Sequence, residues 1–262
     1  METQIKNWAN ELQVASAAAD LSREILLKYF RRTRKIAEKY QAGLVTEADR
    51  ESEQVIRNHI AQAFPQDSIL GEEEGLHVRD AQRLWLVDPL DGTTNYVHGF
   101  PVFCVSIALI VDGVLRVAVI DVPIMKDRYI ARAGGGAYKN GELLRVSATA
   151  QLNQCLASTG FSPNPTSLSQ QLALFTNIAP QLRAIRRPGA AVYDLCMVAE
   201  GIFDIFWEQD LGPWDMAAGA LLVREAGGMI TTYEGNEFDP FAKSILATNG
   251  RIHETFRALL CE

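Results

Sequence analysis

The sequence predicts an α+β protein built from packed helical and sheet layers. Three observations carry that prediction. Apolar residues recur at helical spacing through the first sixty positions, short apolar runs cut by Asp112-Gly113 and Asn140-Gly141 fill the centre, and helical spacing returns from residue 168. Helices and antiparallel strands thus come in blocks, whereas a βαβ winding would alternate them.

Taken in order, Ile5, Trp8, Leu12, Ala15, Ala19, Ser22, Ile25, Leu26 and Tyr29 give one long amphipathic helix or two in succession. The basic run Arg31-Arg32-Thr33-Arg34-Lys35 follows, and reads better as a solvated helix C-terminus than as a phosphate patch. Residues 46–63 form a second helix, with Thr46-Glu47-Ala48-Asp49 suited to its cap and Pro65 just beyond its end. Residues 84–87 make a short apolar strand that ends on Asp88. Residues 103–111 and 114–121 flank the Asp112-Gly113 hairpin signal, and residues 128–133 and 143–146 bracket the second one at Asn140-Gly141. Gly134-Gly135-Gly136 lacks the Lys-Ser/Thr of a phosphate loop, so it reads as part of that hairpin region. A helix over 168–181 shows Leu168, Leu172, Phe175 and Ile178 on one face. Helix 190–199, strand 202–207, helix 215–226 closed by Gly227-Gly228, strand 229–233 and helix 252–260 complete the chain.

At 262 residues the chain is long enough for one large domain or two small ones. With no long linker or repeat in view, a single domain over 1–262 is expected, with two lobes at about 1–150 and 151–262. The net charge of −7 argues against a nucleic-acid partner, whose phosphates reward a basic surface. Cys104, Cys155, Cys196 and Cys261 lie far apart with no metal-binding spacing, and read as buried free thiols of a reducing compartment. Residues 1–10 show no signal-peptide pattern, and the longest apolar run, 102–111, is too short for a bilayer. A cytoplasmic protein with no membrane partner is expected.

The chemistry concentrates in Trp85-Leu86-Val87-Asp88-Pro89-Leu90-Asp91-Gly92-Thr93-Thr94-Asn95. An apolar strand delivers Asp88, Pro89 removes a ladder donor, and Gly92-Thr93-Thr94 opens a helix. Asp88, Asp91 and the Leu90 carbonyl would offer hard oxygen ligands of the kind Mg²⁺ prefers. The N–H groups of Gly92 and Thr93 would face a phosphate at the helix N-terminus. The plainer alternative makes Asp91 a helix cap and Asp88 a turn residue. Two further acids are placed comparably: Glu72 in Gly71-Glu72-Glu73-Glu74-Gly75, and Asp215 at the start of an apolar helix. Read singly, these are a loop acid and a cap.

Together, Gly71-Glu72-Glu73, the 85–94 segment, and Pro213-Trp214-Asp215 followed by Glu225-Ala226-Gly227-Gly228 resemble the inositol monophosphatase family. Supporting matches are residues 44–50, 95–101 and 187–191, so the resemblance runs from about residue 44 to residue 228. It implies a layered αβαβα sandwich and a Mg²⁺-dependent, lithium-sensitive, homodimeric phosphatase. It implies Glu72, Asp88, the Leu90 carbonyl, Asp91 and Asp215 as ligands of two Mg²⁺ ions, with a third, weaker position near Glu72. Four carboxylates in one pocket would repel without cations between them. Thr93 and Asp49 are similar to the pair that orients the attacking water; alone, Asp49 would read as a solvent-facing helix residue. Gly92 and Thr93 would hold the phosphate, and Gly189, Ala190, Ala191 and Glu208 match positions that contact sugar or cyclitol hydroxyls. For Glu208 the alternative is a strand-end acid beside Trp207. His98 reads as structural, and His59, His77 and His253 stand alone.

Two departures from the family pattern stand upstream. Gly43 replaces an acid common in relatives, and the family's lysine is assigned to Lys39, with Glu38 and Lys35 beside it. The expected substrate is a small phosphorylated polyol, inositol monophosphate first. Within the same chemistry fructose bisphosphate, galactose 1-phosphate and histidinol phosphate are alternatives, the last disfavoured by Thr94-Asn95-Tyr96. Some bacterial relatives double as RNA- or polymerase-associated factors, a role for which this acidic chain shows no basic stripe.

Overall fold

The computed structural model describes residues 7–32, 36–38 and 44–261. Lys35, Lys39 and Gly43 lie outside the described residues, so the choice of the upstream lysine is not addressed by them. In chain order the elements are α1 (Ala9–Tyr29), β1 (Ile36–Glu38), β2 (Leu44–Thr46), α2 (Glu47–Ala63), β3 (Asp67–Gly71), β4 (Gly75–His77), β5 (Asp80–Asp91) and α3 (Thr93–His98). Next come β6 (Cys104–Val111), β7 (Val114–Val122), β8 (Asp127–Arg132), β9 (Gly136–Lys139), β10 (Glu142–Leu143) and β11 (Leu156–Thr159). The chain continues with α4 (Pro165–Ile178), β12 (Ala184–Arg186), α5 (Ala191–Ala199), β13 (Ile205–Gln209), α6 (Pro213–Glu225), β14 (Met229–Thr231), β15 (Ser244–Thr248) and α7 (His253–Leu260).

Eight strands form a large sheet in the order β10-β9-β8-β7-β6-β5-β3-β4, and five form a smaller one in the order β12-β11-β13-β15-β14. Side-chain alternation along the strands sorts the large sheet's two faces. Trp85, Val87, Ile107, Leu109, Val117 and Val119 point to α1 and α2, joining Ala15, Ala19, Leu26, Ile56 and Ile60 in one core. Leu86, Ala108, Ile110, Ala118 and Ile120 point the other way, onto Leu195, Met216, Ala217, Ala220 and Leu221 of α5 and α6. Those two helices are covered in turn by Phe206, Ile245 and Ala247 of the small sheet. The far face of that sheet packs Ile205, Trp207 and Leu246 against Ile178 of α4 and Phe256 and Leu260 of α7. The result is the expected αβαβα stack. Helices α5 and α6 lie between two sheets, which is why they are apolar nearly all round. No described helix is long and apolar enough to cross a membrane.

Several strands differ from expectation. The strand expected at 84–87 is the middle of the much longer β5, whose first and last residues are acidic. Residues 144–146 do not form a strand: the Asn140-Gly141 turn joins β9 to the two-residue β10, and Val146 N–H already bonds Ala226 C=O. The strand expected from residue 202 begins at Ile205, because the N–H groups of Ile202 and Phe203 turn back onto Met197 C=O. Pairing is mixed as well: β3 with β5, and β11 with both β12 and β13, run parallel. The cysteines are free, with Cys104, Cys155 and Cys196 buried as expected and Cys261 exposed.

Candidate active site

An acid three positions after another in a regular strand would point to the opposite face. Here the ladder between β5 and β6 pairs Asp88 with Ser106 and Asp91 with Cys104, so three steps on β5 match two on β6. That extra residue is a bulge, formed where Pro89 has no N–H to give. It turns Asp88 and Asp91 to the same side, toward α6. Ser106, opposite Asp88, donates its hydroxyl to Trp214 C=O at 3.0 Å and so ties the first turn of α6 to the same place. Asp215 is the next residue. Ligand atoms of Asp88, Asp91 and Asp215 lie within 4.8 Å of one another, which makes this a group able to hold a cation.

Each acid keeps one oxygen on the backbone. Asp88 Oδ1 accepts from Leu90 N–H at 2.9 Å, Asp91 Oδ2 from Val192 N–H at 2.8 Å, and Asp215 Oδ2 from Gly212 N–H at 2.7 Å. The turn role weighed for Asp88 and the cap role for Asp215 are therefore both present, alongside the cluster. Asp91 does not cap the helix that follows it; the N-cap of α3 is Gly92, and Asp91 serves the start of α5 instead. Asp88 Oδ2 is buried with no hydrogen-bond partner. Burial, then the charges of Glu72, Asp215 and Asp91, push the Asp88 carboxyl well above its usual range. Burial raises Asp91 to about 7, with Glu72 adding to the rise and the Val192 N–H opposing it. Asp215 is raised to about 8 by burial and by the charges of Asp91 and Glu72. Such a group resists being charged unless positive charge joins it, and a buried orphan oxygen marks where a ligand fits. Glu72 stands outside the three-acid group but near enough for its charge to act on all three, with its N–H bonded to Val87 C=O at 3.2 Å.

On the other side of the bulge, Gly92 adopts φ 86°, a left-handed conformation that suits glycine. A Cβ there would lie 3.1 Å from Val102 O and 3.2 Å from Ala190 Cβ. Thr93 Oγ1 reaches Asp49 Oδ1 at 3.1 Å and Leu90 C=O at 3.0 Å. Asp49 is fully buried rather than solvent-facing, and its Oδ2 accepts from both the N–H and the hydroxyl of Thr46 in a capping box.

Gly189, Ala190, Ala191 and Glu208 come together with Asp91 and Asp215 around a cavity of about 150 Å³. Sequence reading missed its other walls: Arg187, Asp194, Gly160, Thr159 and Leu211. It also missed Asn95, whose side-chain N–H groups bond Val102, Pro188 and Gly189 carbonyls at 2.8, 2.9 and 3.3 Å, joining α3 to this loop. Asn95 and Arg187 lie inside the matched segments; Asp194 and Gly160 carry no signal in the sequence. Burial raises Glu208 to about 8, with Arg187 opposing and Asp215 and Asp91 reinforcing. His98 is exposed at the end of α3. His253, isolated in sequence, is buried between the Thr231 and Thr248 hydroxyls at 2.9 Å each.

Five layers, with acids gathered where the two sheets flank α6, are those of a phosphoric monoester hydrolase. The chain belongs to the inositol monophosphatase family, a family of metal-dependent phosphatases whose model matches residues 7–262. It is 38% identical over 253 residues to inositol monophosphatase 2 of Solanum lycopersicum, covering 94% of this chain and 96% of that one. It is 41% identical over 257 residues to the Nus factor SuhB of Pseudomonas aeruginosa, covering 95% and 94%. The crystal structure of the extragenic suppressor protein suhB from Bartonella henselae superposes with a TM-score of 0.91 at 38% identity, covering 96% of this chain and 98% of that one.

Proposed function

We propose that this chain hydrolyses small phosphate monoesters of polyols, inositol monophosphate foremost, with Mg²⁺ as cofactor. The observation that carries the reading is the group Asp88, Asp91 and Asp215, with its unpartnered buried Asp88 oxygen. All donors there are hard oxygens, which suits Mg²⁺. Asp88, Asp91, Asp215, the Leu90 carbonyl and Glu72 would hold two ions, and Glu72 a third, weaker one. When bound, the cations supply charge neutralisation for the phosphate and make water a better acid.

The chain's own residues do the rest. Thr93 Oγ1 donates to Asp49 Oδ1, which leaves its lone pairs to accept a proton of the attacking water. Asp49 is fixed for this by Thr46 on its other oxygen. The first N–H groups of a helix have no intrahelical acceptor, and those of Gly92 and Thr93 would hold the phosphate. Glu208 accepts hydroxyls of the polyol beside Gly189, Ala190 and Ala191. The lobe beyond residue 150 supplies these substrate contacts. The homodimeric state and lithium sensitivity enter this proposal through the family resemblance, and the cytoplasmic setting through the widely spaced cysteines.

The test is phosphate release from a panel of inositol, fructose, galactose, nucleotide and histidinol phosphates, with Mg²⁺ and with chelator. Inositol monophosphate is expected to be turned over fastest and chelation to stop turnover reversibly. Turnover surviving excess chelator would remove the metal mechanism, and a flat Li⁺ titration would remove the lithium assignment. A faster sugar phosphate would make this a broader sugar-phosphate phosphatase.

The 41% identity to a protein named Nus factor favours one second reading, association with RNA or polymerase. It predicts a cellular phenotype that survives Asp91→Asn, together with stable ribosomal or polymerase partners in a pull-down.

A further inference from the structure

One face of α2 touches every segment of the candidate site in the first half of the chain. Residues three and four apart share a helix face, and Asp49, Ser52 and Glu53 are so spaced. Asp49 takes Thr93, as above. Ser52 Oγ donates to Pro89 C=O at 3.2 Å, inside the bulge between Asp88 and Asp91. Glu53, fully buried, accepts Glu73 N–H at 2.8 Å and Glu74 N–H at 3.1 Å, one on each carboxylate oxygen. Arg57, one turn on, pairs with Glu53 at 2.7 Å and bonds the Ile69 and Gly75 carbonyls at either end of the same loop.

The consequence falls on Glu72. Its own N–H is held by Val87 C=O at 3.2 Å, and the following N–H, of Glu73, is held by Glu53. Both peptide planes that meet at the Glu72 Cα are thereby held, which sets the direction of its Cα–Cβ bond. Gly71 completes the fit: a Cβ there would lie 2.2 Å from Glu53 Oε1 and 2.8 Å from an Arg57 nitrogen. A buried ion pair adds little to stability compared with an apolar pair of the same volume. What Glu53 adds is two charge-assisted bonds to a loop that has few apolar anchors of its own.

We propose that Glu53 is a positioning residue for Glu72: its carboxylate, seated in the space left by Gly71, aims the Glu72 carboxylate at the cation site. This rests on reading Glu72 as a cation ligand. The test compares wild type with Glu53→Gln, Gly71→Ala, Glu72→Gln and the Glu53→Gln/Glu72→Gln double variant. Mg²⁺ binding is measured by calorimetry without substrate, and amide exchange is followed at Glu73 and Glu74. Glu53→Gln and Gly71→Ala are each expected to speed exchange at those two amides and to weaken Mg²⁺ binding about tenfold. The double variant is expected to bind no more weakly than Glu72→Gln, because Glu53 acts through Glu72.

Additive losses in the double variant would overturn the proposal. So would unchanged Mg²⁺ affinity, or unchanged exchange, in Glu53→Gln and Gly71→Ala while Glu72→Gln is weakened. If Glu72→Gln itself binds Mg²⁺ like wild type, the reading of Glu72 as a ligand falls and the proposal falls with it. Should Glu53→Gln fail to fold, Gly71→Ala carries the same comparison, since it displaces the carboxylate without removing it.

Discussion

Asp91 Oδ2 accepts the Val192 N–H at 2.8 Å, linking the end of β5 to the first turn of α5 across 101 positions of sequence. One carboxylate thus serves a helix start and the acidic group at once, and two substitutions separate the roles. Asp91→Asn keeps an oxygen for Val192 but removes the charge; Asp91→Ala removes both. Both are expected to abolish phosphate release. In chelator Asp91→Asn is expected to melt no lower than wild type, because it removes a buried charge that resists ionising. Asp91→Ala should be less stable than Asp91→Asn by about 1 kcal/mol, the worth of a lost helix cap. Equal stability of the two variants in denaturant titration would show that the Val192 bond carries no weight.

The same raised carboxyls set a pH dependence in the cation-free protein. Unfolded, Asp and Glu titrate near 4; folded, Asp91 titrates at about 7 and Asp215 and Glu208 at about 8. Between those limits the folded state holds protons that the unfolded state has lost. Stability in chelator therefore falls as pH rises from about 4 through about 8. Mg²⁺ binds the deprotonated acids, so its stabilisation should grow over the same range. Melting temperatures at pH 5, 6, 7 and 8, with chelator and with Mg²⁺, check both signs. A chelated protein that gains stability toward pH 8 would contradict this account.

Much of this architecture was legible in sequence because it rests on local chemistry. The Thr46 cap, the Asp112-Gly113 hairpin and the apolar face of α1 each follow from side chains within a few positions. What was not legible depends on partners distant in sequence. Strands β11 and β15 are short, buried throughout or nearly so, and without alternation, so nothing local separates them from loop. The bulge after Asp88 exists only against β6, and it decides that Asp88 and Asp91 share a side. Among site residues, the acids stand out by type and spacing. Gly160, Asp194 and Glu53 do not, because their roles come from what packs on them.

Thr93 is the site residue whose role can be isolated most cleanly. Thr93→Val keeps the side chain's shape and removes the hydroxyl that bonds Asp49 and Leu90 C=O. The expected result is a fall in kcat of about a hundredfold or more, the scale of positioned proton transfer, with KM and Mg²⁺ affinity nearly unchanged. Thr93→Ser should retain most of the rate. Asp49→Asn should also lower kcat, and in addition lower stability by about 1 kcal/mol, because Asp49 completes the α2 cap. A Thr93→Val enzyme with wild-type kcat would remove Thr93 from the water-orienting role.

Substrate preference is expected to turn on a residue that has no side chain. Strands β11 and β13 are parallel neighbours with Thr159 paired to Trp207, so the next residues, Gly160 and Glu208, lie side by side at the strand ends. A Cβ on Gly160 would fall 2.0 Å from Glu208 Oε1, and the atom it meets is the free end of a side chain. Gly160→Ala should therefore fold normally and push the Glu208 carboxylate off its seat by the cavity. If Glu208 accepts polyol hydroxyls, losing those charge-assisted bonds raises KM about tenfold or more. Glu208→Ala should raise it by a similar factor, and the double variant no further. Phosphate release from inositol monophosphate measures all three. A Gly160→Ala enzyme with unchanged KM would mean that Glu208 is not held against the substrate by this fit.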